Sequence, residues 1–369
     1  MQFLFEILTA GLMGYLAFTN MLAGQITYIL GTPTEETAVA VIRDADAPAI
    51  LSRLPSEYMT KSFIPDVLLQ SADYQQASVL SSVSTDFTPT SDPLAAIVNI
   101  YCTSITSKQI RTTTGTGFFV HPSGVIMTNA HVAQFLLLEK TGVFGETDCV
   151  IRNGSPASAR YKAELLYIPP AWVKANASLV DDKAPSGTGE RDYALLYIIS
   201  DMDDMVLADT VQFPALALNT DLLPRSVTES TVVASGYPAG SLFTEGSDTA
   251  LLARSAETTI SELYTFGSNY ADVFALRGSV IGEQGASGGP VVASDGRVIG
   301  MITTRGDDAR DGAGSLRAIT TSHVNRTITE ETGFSLSSNL SGDIESKANI
   351  FTTTMAPFLT QLLVAEIRR

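Results

Sequence analysis

The 369-residue chain is short of several residue types on which whole function classes depend. It has two cysteines, Cys102 and Cys149. That is too few for a disulfide scaffold, and their spacing matches no metal-ligand pattern. The pair forms one bridge if the domain lies outside the cytoplasm, or stays as two buried thiols. Basic residues are also scarce, with 23 Lys and Arg against 39 Asp and Glu and a net charge of −16. Nucleic-acid binding needs clustered Lys and Arg, so no nucleic-acid partner is expected. The same excess repels anionic lipid surfaces and favours neutral or basic substrates. No basic residue precedes Arg43, so the chain lacks the charged start of a secretory signal, and no small-residue cleavage site follows the first apolar stretch. Residues 7–30 nevertheless carry no charge, and they are long enough to span a bilayer. An uncleaved hydrophobic anchor over 1–30 is the expectation, with the membrane as its partner.

What is present reads as a folded protein, 45% hydrophobic and only 17% charged. Residues 31–93 are rich in Ser, Thr, Pro and Ala and read as a tether with one short helix near 46–54. From about residue 94 the character changes. Short apolar, often β-branched runs alternate with Gly, Asp, Asn and Ser turns, the pattern of an all-β barrel or sandwich. Expected strands are 95–104, 116–120, 125–129, 194–198, 230–236, 291–293, 297–304 and 316–320. The turn His121-Pro122-Ser123-Gly124 joins the second to the third, and Asp295-Gly296 reads as a hairpin. A helix follows the last strand, with Thr321 or Ser322 as N-cap, Val324 and Ile328 on one face, and Gly333 just past its end. Residues 334–369 read as a Ser-rich link and a C-terminal amphipathic helix. Phe351, Met355, Phe358, Leu359, Leu362 and Leu363 mark its apolar face, and Pro357 marks a start or kink.

Three histidines, His121, His131 and His323, bound any imidazole chemistry. His121 falls in a turn and His323 on the polar-looking terminal helix, so both read as solvated. His131, in TNAHVAQF, stands where a strand ends and a helical turn begins. A general base needs such a fixed position at the rim of a rigid element. Asp192, in ERDYALLYI, opens an apolar run, which places its carboxylate at the buried mouth of a strand. A buried carboxylate on a histidine Nδ1–H leaves Nε2 free to take a proton. Asp181 and Asp182 compete only from a polar loop that gives no orientation. Ser287 lies in GEQGASGGPVV, which also fits G-x-S-x-G, the nucleophile elbow of α/β-hydrolases. That elbow needs a helix after the serine and a histidine later in the chain with an acid between them. Here Gly-Gly-Pro and a β-branched run follow, so the elbow reading fails.

The order His131, Asp192, Ser287 and the strings around these residues resemble the chymotrypsin-like serine proteases, in their HtrA-type bacterial branch. GTGFFVHPSGVIMTNAHV resembles that family's strand–turn–strand–His unit, DYALL its Asp segment, and GASGGPVV with GRVIGMITT its nucleophile loop and following hairpin. LRAITTSHVNRTI is similar to its last strand and closing helix. The resemblance covers roughly 94–333. It implies two packed six-stranded antiparallel β-barrels with a closing C-terminal helix. It also implies a catalytic triad of His131, Asp192 and Ser287, and an oxyanion hole from the Gly285 and Ser287 backbone N–H groups. Substrate-binding walls would come from Ile281, Gln284, Ile302, Thr303 and Thr304. With Ile281 at the pocket base in place of an acid, a small or medium apolar side chain suits the pocket better than Arg or Lys. Ala286 before the serine excludes activation through an ion pair with a freed N-terminus. The stretch after Gly333 is too short for the PDZ domain that many HtrA-type enzymes carry. The long segment between His131 and Asp192, with the sole tryptophan Trp172, reads as a loop insertion beside the cleft. No metal or organic cofactor is implied. The expected function is a serine endopeptidase acting on proteins or peptides, membrane-anchored or exported, with its catalytic domain extracytoplasmic. A catalytically silent binding or scaffolding module on the same fold is the alternative.

Overall fold

Six antiparallel strands close the first barrel: β1 (Ile97–Ile105), β2 (Ile110–His121), β3 (Val125–Thr128), β4 (Glu146–Asn153), β5 (Ser158–Tyr167) and β6 (Ala194–Asp201). Around the barrel the order is β1-β2-β3-β6-β5-β4, with β4 pairing back onto β1. Six more close the second: β7 (Thr231–Gly236), β8 (Arg254–Thr265), β9 (Val273–Leu276), β10 (Pro290–Val292), β11 (Val298–Arg305) and β12 (Leu316–Thr320). Their order is β8-β9-β12-β11-β10-β7, sealed by the β7–β8 ladder. A two-residue strand, Gln70–Ser71, pairs with Tyr264 and Thr265 at the end of β8. The computed structural model describes residues 70–71, 87–105, 110–139, 141–143, 145–180, 189–208, 210–240 and 250–367. All belong to one compact unit, Thr60–Arg369. The expected anchor over 1–30 and the short helix near 46–54 lie outside the described residues, as do Asp181 and Asp182.

Alternation along each strand builds the cores. Phe118 and Phe119 in β2 are both fully buried, yet they point to opposite faces, as successive strand residues must. Phe119 stacks on Phe213, with ring centroids 4.6 Å apart, in the core cluster of the first barrel. Phe118 belongs to a cluster that draws on both barrels, with Met127, Tyr193, Tyr237, Val292 and Met301. That shared cluster fuses the barrels into one body. The seam between them is therefore buried and apolar.

The segment read as a loop insertion proves otherwise in part. Residues 158–167 are β5, a strand without which the first barrel would not close. Next, α1 (Pro170–Asn176) buries Trp172 and Val173 in the first barrel's cluster. Charged and polar residues alternate with the few apolar ones in β5, and this masked its pairing. Beyond α2 (Thr321–Thr332), two helices end the fold, α3 (Ile344–Thr354) and α4 (Ala356–Ile367), bent by 42° at the break just before Pro357. Leu359 and Leu363 of α4 pack into the same cluster as Trp172. No single described helix is long and apolar enough to cross a membrane.

Cys102 and Cys149 stand directly opposite each other in β1 and β4 and are joined by a disulfide. Both are buried. Non-reduced protein is expected to weigh about 2 Da less than its dithiol form, the mass of the two thiol hydrogens. The double Cys→Ala variant is expected to lose about 2–4 kcal/mol of stability, since the bridge restrains the unfolded chain over a separation of 47 residues. Intact-mass spectrometry and denaturant unfolding check these values. Two free thiols in protein from its native compartment would contradict the first.

Candidate active site

The strand β3 ends at Thr128 and the chain turns at once into a short helix, Ala130–Ala133. That corner holds His131 at the mouth of the first barrel, its side chain 30% exposed. Asp192, just before β6, turns a carboxylate that is 6% exposed toward it. Both oxygens are used. Oδ1 accepts the His131 backbone N–H at 2.9 Å, and Oδ2 lies 2.7 Å from Nδ1. A carboxylate only accepts, so Nδ1 carries the proton and Nε2 is the basic nitrogen. Burial works against the charged imidazole. The Asp192 carboxylate, by its charge and its hydrogen bond, outweighs that effect and holds the imidazole above the ordinary histidine range.

On the second barrel, Ser287 sits in the loop before β10. Its Oγ donates to the Thr303 carbonyl at 3.3 Å. No hydrogen bond joins Ser287 to His131 among the described residues, although a chain of contacts connects their surroundings. Asn129, two residues before His131, donates from Nδ2 to the Asp192 carbonyl at 2.8 Å and to Thr303 Oγ1 at 3.3 Å. Thr303 thus touches both halves of the site.

The serine loop takes its shape from two glycines in the left-handed region, Gly285 at φ +93° and Gly288 at φ +88°. A Cβ on Gly285 would lie 2.5 Å from the Tyr237 carbonyl oxygen, and one on Gly288 only 1.9 Å from that of Thr116. Neither position tolerates a side chain. Carbonyls in this loop are spoken for: Gln284 O accepts from Ala239 N–H at 2.6 Å, and Ser287 O from Thr116 N–H at 2.8 Å. By contrast, the Gly285 and Ser287 N–H groups donate to no acceptor among the described residues. Gly285 is buried and Ser287 half-buried.

The sequence pattern that defines the trypsin-like peptidase domain matches residues 115–301, about half of the chain. The chain belongs to the trypsin-like peptidases. The matched span contains His131, Asp192 and Ser287, and the two closed barrels have the chymotrypsin-like arrangement. No match is found among curated proteins. Solved structures similar to this peptidase include the Rv3671c protease of M. tuberculosis in its active form. It is 21% identical, covering 69% of this chain and 95% of that one with a TM-score of 0.38. The inactive form of Rv3671c is 20% identical over 65% and 90% of the two chains, with a TM-score of 0.39. Deg5 is 18% identical over 65% and 90%, with a TM-score of 0.41.

The other expected site residues of this peptidase scatter in exposure. Gln284 is exposed and Thr304 half-buried, whereas Thr303 is buried. The Ile281 and Ile302 side chains are fully buried in the second barrel's core, so neither side chain reaches solvent. Among the described residues no group of three or more His, Cys, Asp or Glu side chains could hold a metal ion. His121 is half-buried, its Nδ1 2.8 Å from Ser123 Oγ. His323, read as solvated, is instead 3% exposed and pairs through Nδ1 with Asp272 at 3.0 Å.

Residues near the site that sequence reasoning did not single out include Asn129 and the neighbours of Asp192. Arg191, in the left-handed region at φ +57°, sits among Glu190, Glu330 and Glu331 at 3.0, 3.2 and 2.9 Å. The Tyr193 hydroxyl accepts from Thr327 Oγ1 at 3.0 Å. Glu330, Glu331 and Thr327 all lie on α2, so the closing helix grips the chain on both sides of Asp192. The local signal for this was weak: a charged dipeptide before DYALL and acidic residues late in a helix.

Proposed function

We propose that this trypsin-like peptidase is a serine endopeptidase in which Ser287 is the nucleophile, His131 the base and then acid, and Asp192 the orienting carboxylate. The observation that carries the reading is the two-point grip of Asp192 on His131, which leaves Nε2 as the basic nitrogen. Ser287 Oγ turns from the Thr303 carbonyl toward Nε2, a rotamer change that partly exposed side chains make in picoseconds to nanoseconds. Oγ then attacks the substrate carbonyl carbon as Nε2 takes its proton. The oxyanion that forms is met by the Gly285 and Ser287 N–H groups, which have no other acceptor among the described residues. Collapse breaks the C–N bond, and His131 returns the proton to the leaving amine. Water, deprotonated by the same nitrogen, then releases the acyl group.

The substrates are proteins or peptides, held along Thr303 and Thr304 as an added strand. The pocket base expected from the family resemblance carries no acid, so a small or medium apolar P1 side chain is preferred over Arg or Lys. The Cys102–Cys149 disulfide and the uncharged stretch over 7–30 support a membrane-anchored or exported enzyme working outside the cytoplasm. One observation favours the silent binding module, namely that Ser287 Oγ is bonded to Thr303 rather than to the imidazole.

A fluorophosphonate probe separates the two readings. The full chain is expected to label, and Ser287→Ala and His131→Ala, each folded by circular dichroism, are expected not to. A folded wild type that refuses the probe would decide for the binding module.

A further inference from the structure

Thr116 belongs to β2 of the first barrel, yet most of its polar bonds reach the second. It is fully buried. Its N–H donates to the Ser287 carbonyl at 2.8 Å, and its Oγ1 donates to the Gly285 carbonyl at 2.7 Å. The same Oγ1 accepts the Tyr237 N–H at 2.9 Å. Its own carbonyl accepts from Thr128 Oγ1 at 2.7 Å, which ties it to the strand that leads into His131. A hydroxyl has one hydrogen to give and lone pairs to receive with, so it can donate to Gly285 and accept from Tyr237 at once.

We infer that the Thr116 hydroxyl is a positioning residue for the oxyanion hole, fixing the peptide plane that lies between the Gly285 and Ser287 N–H groups and so their mutual orientation. This rests on the serine-peptidase reading above. The plane before Gly285 is fixed by the bond from Ala239 N–H to Gln284 O, so its N–H points away from that bond. The plane after it is fixed by Thr116 Oγ1 on Gly285 O. Gly285, at φ +93°, has no side chain to hold it there. With the second tie cut, rotation about Gly285 ψ is freed, and the Gly285 and Ser287 N–H groups on either side of that bond no longer converge on one developing oxyanion. Donors aimed at the transition state matter most to kcat, whereas ground-state peptide binding along Thr303 and Thr304 is made elsewhere. The effect therefore falls on kcat and spares KM.

The test compares Thr116→Val, which keeps the branched shape and the backbone N–H but loses the hydroxyl, with Thr116→Ser, which keeps the hydroxyl. Peptide hydrolysis by the full chain is measured for each, together with inhibition by a peptide aldehyde that forms a tetrahedral adduct. Thr116→Val is expected to lose about 10- to 100-fold in kcat and a similar factor in aldehyde affinity, with KM changed by less than about threefold. Thr116→Ser is expected to stay within about threefold of wild type in all three. Thr116→Ala is measured beside them and carries the test if the valine variant does not fold. If neither folds, the hydroxyl serves folding and the inference is overturned. An active wild type whose Thr116→Val variant keeps its kcat, or loses KM instead, overturns the inference alone. A wild type that hydrolyses no peptide overturns the peptidase reading and this inference with it.

Discussion

Asp192→Asn is expected to lower kcat by about four orders of magnitude while leaving the protein folded, as the same change does in a comparable triad. The geometry says why the substitution is silent for the fold and severe for the chemistry. Asp192 Oδ1 accepts the His131 backbone N–H, and an asparagine Oδ1 can accept it equally well. The amide nitrogen then replaces Oδ2, the atom 2.7 Å from Nδ1. An NH₂ group donates, so Nδ1 must become the acceptor and the imidazole proton moves to Nε2. The ring stays in place with its basic nitrogen facing the wrong way. The same reversal removes the charge that holds the His131 imidazole above the ordinary histidine range. In wild type the base is the neutral form, so kcat/KM is expected to rise with pH through an ionisation above about 6.5 and to fall away below it. In Asp192→Asn the residual activity is expected to show that ionisation at lower pH. Steady-state kinetics across pH, with thermal unfolding of both proteins, checks both expectations. A folded Asp192→Asn variant within tenfold of wild type would remove Asp192 from the proposed role.

The parts of this protein that were legible in its sequence are those whose letters act locally. Gly285 and Gly288 announce a loop no side chain can enter, and Asp295-Gly296 announces the turn between β10 and β11. With three histidines in the chain, His131 stood out because a strand visibly ended beside it. What escaped was set by pairing between distant segments. Strand β4 reads ETDCVIRN, and only its contacts reveal that Thr147, Cys149 and Ile151 turn inward together. Strand β8, RSAETTISELYT, looks like a polar linker until β7 and β9 lie on either side of it. Thr116 is an ordinary β-former in GTGFFV, and its bonds to Gly285 and Tyr237 span 169 and 121 residues. Polar side chains misled in α2 as well. Thr321, Ser322, His323 and Thr327 are all buried there, although a hydropathy pattern assigns them to solvent. Thr321, His323 and Thr327 each found a partner that their own segment does not supply.

The partner of His323 carries the largest stability effect expected in the molecule. Asp272 is 1% exposed and collects five donors. Its Oδ2 accepts from Thr265 Oγ1 at 2.9 Å, Phe266 N–H at 2.8 Å and Ser268 Oγ at 2.6 Å. Its Oδ1 takes His323 Nδ1 at 3.0 Å and the Arg326 guanidinium. One carboxylate thus gathers the β8–β9 turn and fastens it to the closing helix. Burial pushes this carboxyl up, but the bonds and charge of His323 with the bonds from Ser268 and Phe266 N–H outweigh it, leaving it well below the usual carboxylate range. Removing the carboxylate at the centre of this buried charge cluster strands the donors it accepts from, so Asp272→Ala is expected to cost about 3–5 kcal/mol. The depressed ionisation adds a pH signature. An unfolded aspartate titrates near 3.9, so the native state's preference for the charged form stabilises fully above about pH 5 and is lost as pH falls toward the folded value. Wild-type stability is therefore expected to drop below about pH 4 more steeply than that of Asp272→Asn, which has no proton to take up there. Denaturant unfolding of the three proteins at pH 7 and at pH 3 to 5 measures both quantities. If Asp272→Ala unfolds within about 1 kcal/mol of wild type, the cluster is held by the fold rather than holding it. The grip of α2 on the chain around Asp192 would then have to come from Thr327, Glu330 and Glu331 without help from the far end of the helix.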